Sequence, residues 1–361
     1  MPTLNWIGKE AVEKHHLEIP YRLLEYDDTL SAGDKESGNL LVQGDNLHAL
    51  KALLPYYGGS VKCIYIDPPY NTGNEKWQYN DNVNAPEIRA WLNKTVGAEG
   101  EDLSRHDKWL CMMYPRLQIL KKLLHREGAI FISIDDIEQA HLRLLMDEIF
   151  GQMNFVCNII WEKKYTVAND AKYLSDNHDF IICYAKNKSM WRPLRLPRPQ
   201  KLNKAYKNPD NHPKGPWKAT PLHAKSGSIK GENFSYTFKN GVTWSPPKGT
   251  FPRFSKDTLK RFDDGNELWF GKDGKSVPSR KTFLSELKNQ GVTARTIWNF
   301  GEVGHNHEAK DEIKKFDLSI VFDTPKPTKL MKRILNLAAD KDDIVMDSFS
   351  GSGTVGHAVM E

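Results

Sequence analysis

Two short apolar runs, each ending in a loop dense with chemistry, constrain this chain more than any other feature. Val61-Lys62-Cys63-Ile64-Tyr65-Ile66 leads into Asp67-Pro68-Pro69-Tyr70, and Asp343-Ile344-Val345-Met346 leads into Asp347-Ser348-Phe349-Ser350-Gly351-Ser352-Gly353-Thr354. Near-continuous apolar runs of this length, bounded by turn residues, read as strands buried on both faces of a parallel sheet. In an open α/β sheet, ligands bind beyond the carboxyl ends of the strands, where strand order reverses. Two loops of this kind at opposite ends of the chain predict a single site built from both.

The first loop is the more specific. Two consecutive prolines fix φ and remove two backbone donors, so the turn presents carbonyl acceptors at a set angle. Asp67 stands before them and Tyr70 after. That set suits an exocyclic amino group on a flat ring: Asp67 and the Pro68 carbonyl each accept one amino hydrogen while Tyr70 stacks on the ring face. The plainer alternative is a Pro-Pro turn that closes a strand, with Asp67 capping the next segment of chain. The second loop, Gly351-Ser352-Gly353-Thr354-Val355-Gly356, fits the G-x-G-x-x-G turn in which glycines let a backbone approach a ligand at a helix N-terminus. It is no phosphate-cradling P-loop, because His357 stands where a Lys is required. Asp347 adds a carboxylate suited to a cationic group such as an α-ammonium. A tight strand-to-helix connection is the alternative here.

Together the loops resemble the amino-group DNA methyltransferases that use S-adenosylmethionine. Asp67-Pro68-Pro69-Tyr70 matches that family's catalytic motif, and Asp347-x-Phe349-x-Gly351-x-Gly353, followed by Thr354, its cofactor motif. Catalytic motif first and cofactor motif last is the β order. Gly44-Asp45-Asn46 matches the adenosine-contacting motif, and Thr324-Pro325-Lys326-Pro327 the motif flanking the methionine end of the cofactor. The strings Tyr65 to Gly73 and Phe131-Ile132-Ser133-Ile134-Asp135-Asp136 look like modification subunits of type III restriction–modification systems. The resemblance implies a Rossmann-like α/β methyltransferase sheet with an inserted basic DNA-recognition module. It implies S-adenosylmethionine as cofactor, held by Asp45, Asp67, Lys326, Asp347, Phe349, Gly351, Gly353 and Thr354, and catalysis by Asp67, Pro68, Pro69 and Tyr70. The acidic first position of the catalytic motif implies adenine N6 as target. Cytosine N4 is the alternative, as is a DNA-binding fragment without catalysis. A nicotinamide-dependent oxidoreductase could use the glycine loop but leaves the Pro-Pro-Tyr turn unexplained. Implied partners are double-stranded DNA with a flipped adenine, a restriction or helicase subunit and a second methyltransferase copy. The family pattern also places an acidic residue for the cofactor ribose on a strand beyond Glu361, so the cofactor pocket is expected to be incomplete and the affinity low.

Charge supports a polyanionic partner. The net charge of +5 over 361 residues conceals an asymmetry: residues 186–300 hold 24 Lys and Arg against 8 Asp and Glu. Cations gathered in one segment of an otherwise acidic chain are the electrostatic footprint of a nucleic-acid site. Aromatic residues are interleaved with them, from Trp191 to Trp269, and ten of the 20 prolines fall between Pro193 and Pro252, which argues against a long helix. Arg192, Arg195, Arg198, Lys201, Lys204 and Lys207 are the expected DNA contacts. A solvated basic face over a small aromatic core is the alternative.

The expected organisation is an N-terminal helical extension over 1–38, the catalytic half of the methyltransferase domain over 39–188, a target-recognition module over 189–300 and the cofactor-binding part over 301–361. Within it, residues 5–30 read as helical with Pro20 interrupting, Leu40 to Gln43 as a strand, 71–105 as a flexible loop, Phe155–Trp161 and Phe180–Ala185 as a hairpin-like strand pair. No segment reaches the apolar length of a membrane span and no secretory signal opens the chain. Cys63, Cys111, Cys157 and Cys183 read as buried thiols, which implies a cytoplasmic location. No metal is expected: His305 and His307 lack partners of ligand type and suit a helix entry. By resemblance His178-Asp179 aligns with a family motif near the base pocket, and a strand-start pair with local hydrogen bonding explains it almost as well; Asp135-Asp136 is explained by capping. Pro209-Asp210 and Glu286-Leu287-Lys288 are too far apart to support a nuclease.

Overall fold

Asp45 starts the first long helix. Its carboxylate accepts the amides of Leu47 and His48, at 3.0 and 3.1 Å, so two of the unpaired donors of α1 (Asn46–Tyr57) are satisfied by the residue before it. The chain then runs β1 (Val61–Ile66), α2 (Arg105–Leu123), β2 (Leu124–Ile134), α3 (Gln139–Met146), β3 (Phe155–Glu162) and β4 (His178–Ala185). After a long excursion it returns as β5 (Ile297–Trp298), α4 (Asn306–Lys314), α5 (Thr328–Ala338), β6 (Ile344–Asp347) and α6 (Thr354–Met360). This computed structural model describes residues 4–34, 37–72, 105–169, 171–227, 234–287, 291–316, 322 and 324–361. The chain forms two compact units, Met1–Arg195 with Thr293–Glu361, and Leu196–Val292.

The first unit is built on a six-stranded sheet of order β5-β3-β4-β2-β1-β6. β1 pairs parallel with both β2 and β6, and β5 pairs parallel with β3, whereas β4 is antiparallel to its neighbours β2 and β3. This is the Rossmann-like α/β sheet that the motif order implies. β1 is buried on both faces, and α2 packs on the sheet with Leu117, Ile119 and Leu120 fully buried. The register places Tyr65 of β1 beside Asp347 of β6, so the two loaded loops leave adjacent strands at the same edge. That single pairing brings together residues from opposite ends of the sequence.

Local expectations fared unevenly. Helix in the first 30 residues is confined to Lys9–Glu13 and His15–Glu18. Pro20 forbids α geometry at Ile19, whose ψ of 123° ends the second turn, and no helix resumes beyond it; Leu23 is 88% exposed. Leu40 to Gln43 is not a strand: the run is short, exposed, and bracketed by Gly38 and Gly44 at positive φ. α3 is followed by a wider π turn over Asp147–Gly151. Most of the loop expected over 71–105 lies outside the described residues. All four cysteines are free, three buried and Cys157 half-buried, but Cys157 and Cys183 are not apart: they face each other across β3 and β4.

The second unit lies within the segment 189–300. Leu268–Trp269, Ser279–Phe283 and Trp217–Pro221 form a three-stranded antiparallel sheet. Its core is Leu222, Phe234, Phe238, Trp244, Leu259, Phe262 and Leu268, with a short helix, Lys256–Asp264, capped by Ser255. Asp210 pairs with the buried Lys281 at 2.6 Å and Glu286 with Lys214 at 2.6 Å, so both carboxylates serve the fold of this unit.

Candidate active site

Beyond Ile66 the turn is anchored from below. The Trp109 indole of α2 donates to the Pro69 carbonyl at 2.6 Å, and Asn71 leaves the turn in the left-handed region, at φ 62°. The turn therefore has one conformation, with Asp67 and Tyr70 beside β6. A cavity of about 310 Å³ opens there, within the range of small-molecule sites. Asp67, Pro68, Pro69 and Tyr70 line it together with Lys326, Asp347, Phe349, Gly351 and Thr354.

The Asp67 carboxylate is divided in its contacts. Oδ2 accepts the Lys326 ammonium at 2.6 Å; Oδ1 is buried and makes no hydrogen bond among the described residues. Burial raises the Asp67 pKa, and Lys326 opposes that. The Tyr70 hydroxyl lies near enough to favour the charged form as well, but its own hydrogen bond runs to Asp179 Oδ2 at 3.4 Å. Asp179 in turn accepts from Lys163 at 2.7 Å. Lys326 also stands 5.0 Å from the centre of the Tyr70 ring, a cation–π contact. Hence the ring is held by its hydroxyl and one carboxylate oxygen remains without a donor.

Asp347 closes β6 and folds back on its own loop, Oδ1 accepting the Phe349 amide at 2.9 Å. Burial pushes its pKa up to about 7. Gly351 and Gly353 adopt positive φ, 51° and 73°, which the turn into α6 requires. Gly353 is the residue before α6 and is not among the cavity-lining residues. Asp45 is not among them either: it caps α1 and lies 3.6 Å from Arg116. Its neighbour Asn46 does reach the loop, donating to the Ser348 carbonyl at 3.3 Å.

Two further acidic residues, both set aside in the sequence, line the cavity. Asp179 is 3% exposed and connects Tyr70 to Lys163. Asp135 caps the turn before α3 through the Ile137 amide and also lines the cavity, where burial lifts it to about 6. The signal for Asp179 was the alignment of His178-Asp179 with a family motif near the base pocket, which local hydrogen bonding at a strand start explained almost as well. Asp67, Asp135, Asp179 and Asp347 thus line the cavity together with Lys163 and Lys326, whose ammonium groups pair with Asp179 and Asp67.

The family model for DNA methylases matches residues 61–361. The chain belongs to that family. A type III restriction-modification enzyme StyLTI Mod subunit of Salmonella typhimurium is 38% identical over 99% of this chain and 55% of its own length. A type III EcoPI Mod subunit of Escherichia phage P1 is 32% identical over 99% of this chain and 60% of its own. The type II methyltransferase M.KpnI of Klebsiella pneumoniae is 32% identical over 91% and 78% respectively. The chain thus spans somewhat over half the length of the Mod subunits it matches.

In this DNA methylase chain the six basic residues singled out in the sequence are divided between the two units. Arg192 and Arg195 are exposed at the end of the first, where the Arg192 guanidinium donates to the Lys188 and Trp191 carbonyls. Arg198 is in the second unit, bound to Asn203 at 2.8 Å and lying over the Tyr206 ring; Lys201, Lys204 and Lys207 are exposed there. His305 caps α4 by accepting the Glu308 amide, and His307 lies 3.5 Å from Asp311.

Proposed function

We propose that this chain transfers a methyl group from S-adenosylmethionine to the N6 amino group of adenine in DNA, as the modification component of a restriction–modification system. Membership of the DNA methylase family and the likeness to two type III Mod subunits support the reaction class. The observation that carries the reading is the divided carboxylate of Asp67: one oxygen is fixed by Lys326 and the other is buried without a donor among the described residues.

S-adenosylmethionine, when bound, supplies an electrophilic methyl on a sulfonium. The residues of the chain prepare the nucleophile. Asp67 Oδ1 accepts one amino hydrogen of a flipped base and the Pro68 carbonyl the other, which turns the nitrogen lone pair out of the ring plane toward the methyl. Tyr70 offers its ring for stacking, held by Asp179. Asp347 and the glycine loop fit the cofactor, the carboxylate toward the α-ammonium and the backbone at close approach. Lys326 keeps Asp67 charged, so that it accepts and does not donate. No covalent bond to the protein forms. DNA phosphates meet the basic residues of 186–300, Arg192 and Arg195 among them, a restriction subunit and a second copy complete the assembly, and the location is cytoplasmic. Among the described residues no helix is long and apolar enough to cross a membrane.

Asp67→Ala tests the reading. Methylation of DNA, read base by base in a methyl-free background, should fall at least 100-fold, about 3 kcal/mol of transition-state stabilisation, with DNA affinity retained. Near wild-type turnover would remove Asp67 from catalysis. Methyl groups at cytosine N4 in the wild-type product would overturn the choice of base.

A further inference from the structure

One residue beyond the Pro-Pro-Tyr turn lies a second cluster that the methyl-transfer reading does not use. The Glu138 carboxylate, fully buried, has one oxygen 2.7 Å from His106 Nδ1 and the other 3.0 Å from His141 Nδ1. The Asn71 side-chain amide donates to the same Oε1 that faces His106. The two imidazole rings are 4.8 Å apart, and one ligand atom from each of the three residues falls within 4.8 Å of the others. Burying a carboxylate is costly unless a positive partner compensates it. Among the described residues the only ion pairs of Glu138 are with these two histidines, and no described Lys or Arg reaches it.

Three features distinguish this arrangement from an ordinary salt bridge. Two imidazoles and one carboxylate are a donor set that holds zinc with a fourth position open to water. Bonds of about 2.0–2.1 Å in tetrahedral array separate neighbouring donor atoms by about 3.4 Å; the ring nitrogens stand 2.7 and 3.0 Å from the two carboxylate oxygens and the three ligand atoms lie within 4.8 Å of one another, so the two half-exposed rings must turn to face one point as an ion enters. The rings are 39% and 35% exposed while the carboxylate is sealed, which provides an entry path on one side and a fixed ligand on the other. Glu138 and His141 share a face at i, i+3 spacing where α3 begins, and His106 comes from the first turn of α2. The Asn71 amide supplies the outer hydrogen bond that orients a ligating carboxylate.

We propose that His106, Glu138 and His141 bind a divalent transition-metal ion, Zn²⁺ in preference, as a structural clamp. It would join the start of α2 and the entry to α3 to Asn71, and so brace the turn that carries Asp67 and Tyr70. The ion takes no part in methyl transfer.

The purified full chain, stripped with a chelator and dialysed against Zn²⁺ at neutral pH, should hold one equivalent by elemental analysis and melt at a higher temperature than the stripped protein. His106→Ala and His141→Ala should each weaken Zn²⁺ binding at least tenfold, and the double variant should abolish it, while His305→Ala leaves it unchanged. Wild-type protein offers a readout independent of any variant's folding. Bound Zn²⁺ should protect His106 and His141 from diethyl pyrocarbonate, mapped by mass spectrometry, and leave His307, 70% exposed, as reactive as before. Absence of stoichiometric Zn²⁺, binding that survives the double substitution, or equal modification of His106 and His141 with and without metal each overturns the proposal.

Discussion

At Asp67 burial raises the carboxyl pKa while the Lys326 ammonium, 2.6 Å from Oδ2, lowers it. Acceptance of an amino hydrogen requires the carboxylate, so transfer is lost as pH falls through the Asp67 pKa. Lys326→Met removes the opposing cation and lets burial act alone. The acidic limb of the pH–rate profile should then move to higher pH, with a larger loss of rate at pH 6 than at pH 8.5; an unmoved limb would detach Lys326 from this role. Asp347 titrates in the opposite setting: among the described residues no cation opposes its burial, the Asp67 charge adds to it, and the pKa is pushed up to about 7. Its folded-state pKa stands above the value in an unfolded chain, near 3.8. Between those two values the folded protein holds a proton that the unfolded chain has released. This carboxyl therefore stabilises the fold most at low pH, its contribution declines from about pH 4 to 7, and it changes little above. Urea unfolding of wild type and Asp347→Asn at pH 5 and pH 8 should show a larger decline in the wild type, the remainder in the variant coming from Asp135 and Asp67, whose pKa values burial also raises. A cation such as an α-ammonium binds the deprotonated form, so S-adenosylmethionine affinity should rise with pH across the same window and calorimetry should detect proton release.

The pairing of β1 with its neighbours sets how accurately the turn is placed. β2 carries extra residues opposite the Val61–Cys63 step, and Gly128 passes close to β1 there. A Cβ at Gly128 would lie 2.7 Å from the Lys62 carbonyl oxygen and 3.0 Å from that of Val61, both backbone atoms that cannot move alone. Gly128→Ala should destabilise by about 1–3 kcal/mol, the range for overpacking a filled site. Gly356, inside α6, is a control of opposite sign: a Cβ there meets nothing within 4 Å and the backbone is helical. Gly356→Ala should stabilise by about 0.4–1 kcal/mol through the unfolded chain. Chemical unfolding of the two variants side by side checks both signs. Helices and central strands were legible because periodicity and burial coincide in them: the sequence reads helices over His48–Tyr57, Trp109–His125 and Lys329–Ala339, and α1, α2 and α5 lie within a few residues of those bounds. Where apolar residues are not packed, as at Leu23 and Leu41, each 88% exposed, the same letters misled.

For the molecule as a whole, charge is unevenly shared between its parts, and the DNA interaction is argued at this scale. Lys201, Lys204 and Lys207 are exposed in the second unit. If each neutralises a phosphate, changing all three to Gln should reduce the slope of log affinity against log salt by about 0.9 per lysine, or roughly 2–3 in total, by lessening counterion release. S-adenosylmethionine affinity should be unchanged, because the described residues that line the cavity all belong to the first unit. Fluorescence anisotropy of labelled duplex over a salt series measures the slope; an identical slope would place the phosphate contacts elsewhere.

The sequence by itself determined the family, the parallel strands that end in the two motifs, and the residue types each motif needs. These are local properties: an apolar run, a proline pair and a glycine turn mean much the same wherever the chain puts them. Contacts between distant residues had to come from the tertiary structure. Lys326 meets Asp67 only because β6 docks beside β1. Asp179 enters the site only because β4 runs antiparallel to β2 and starts at the edge where β1 ends. His106 and His141 share one carboxylate only because the first turn of α2 and the entry to α3 converge on Asn71. Burial of a charge is likewise a tertiary property. The pKa of about 7 at Asp347 depends on water excluded by neighbours that no stretch of sequence around it contains.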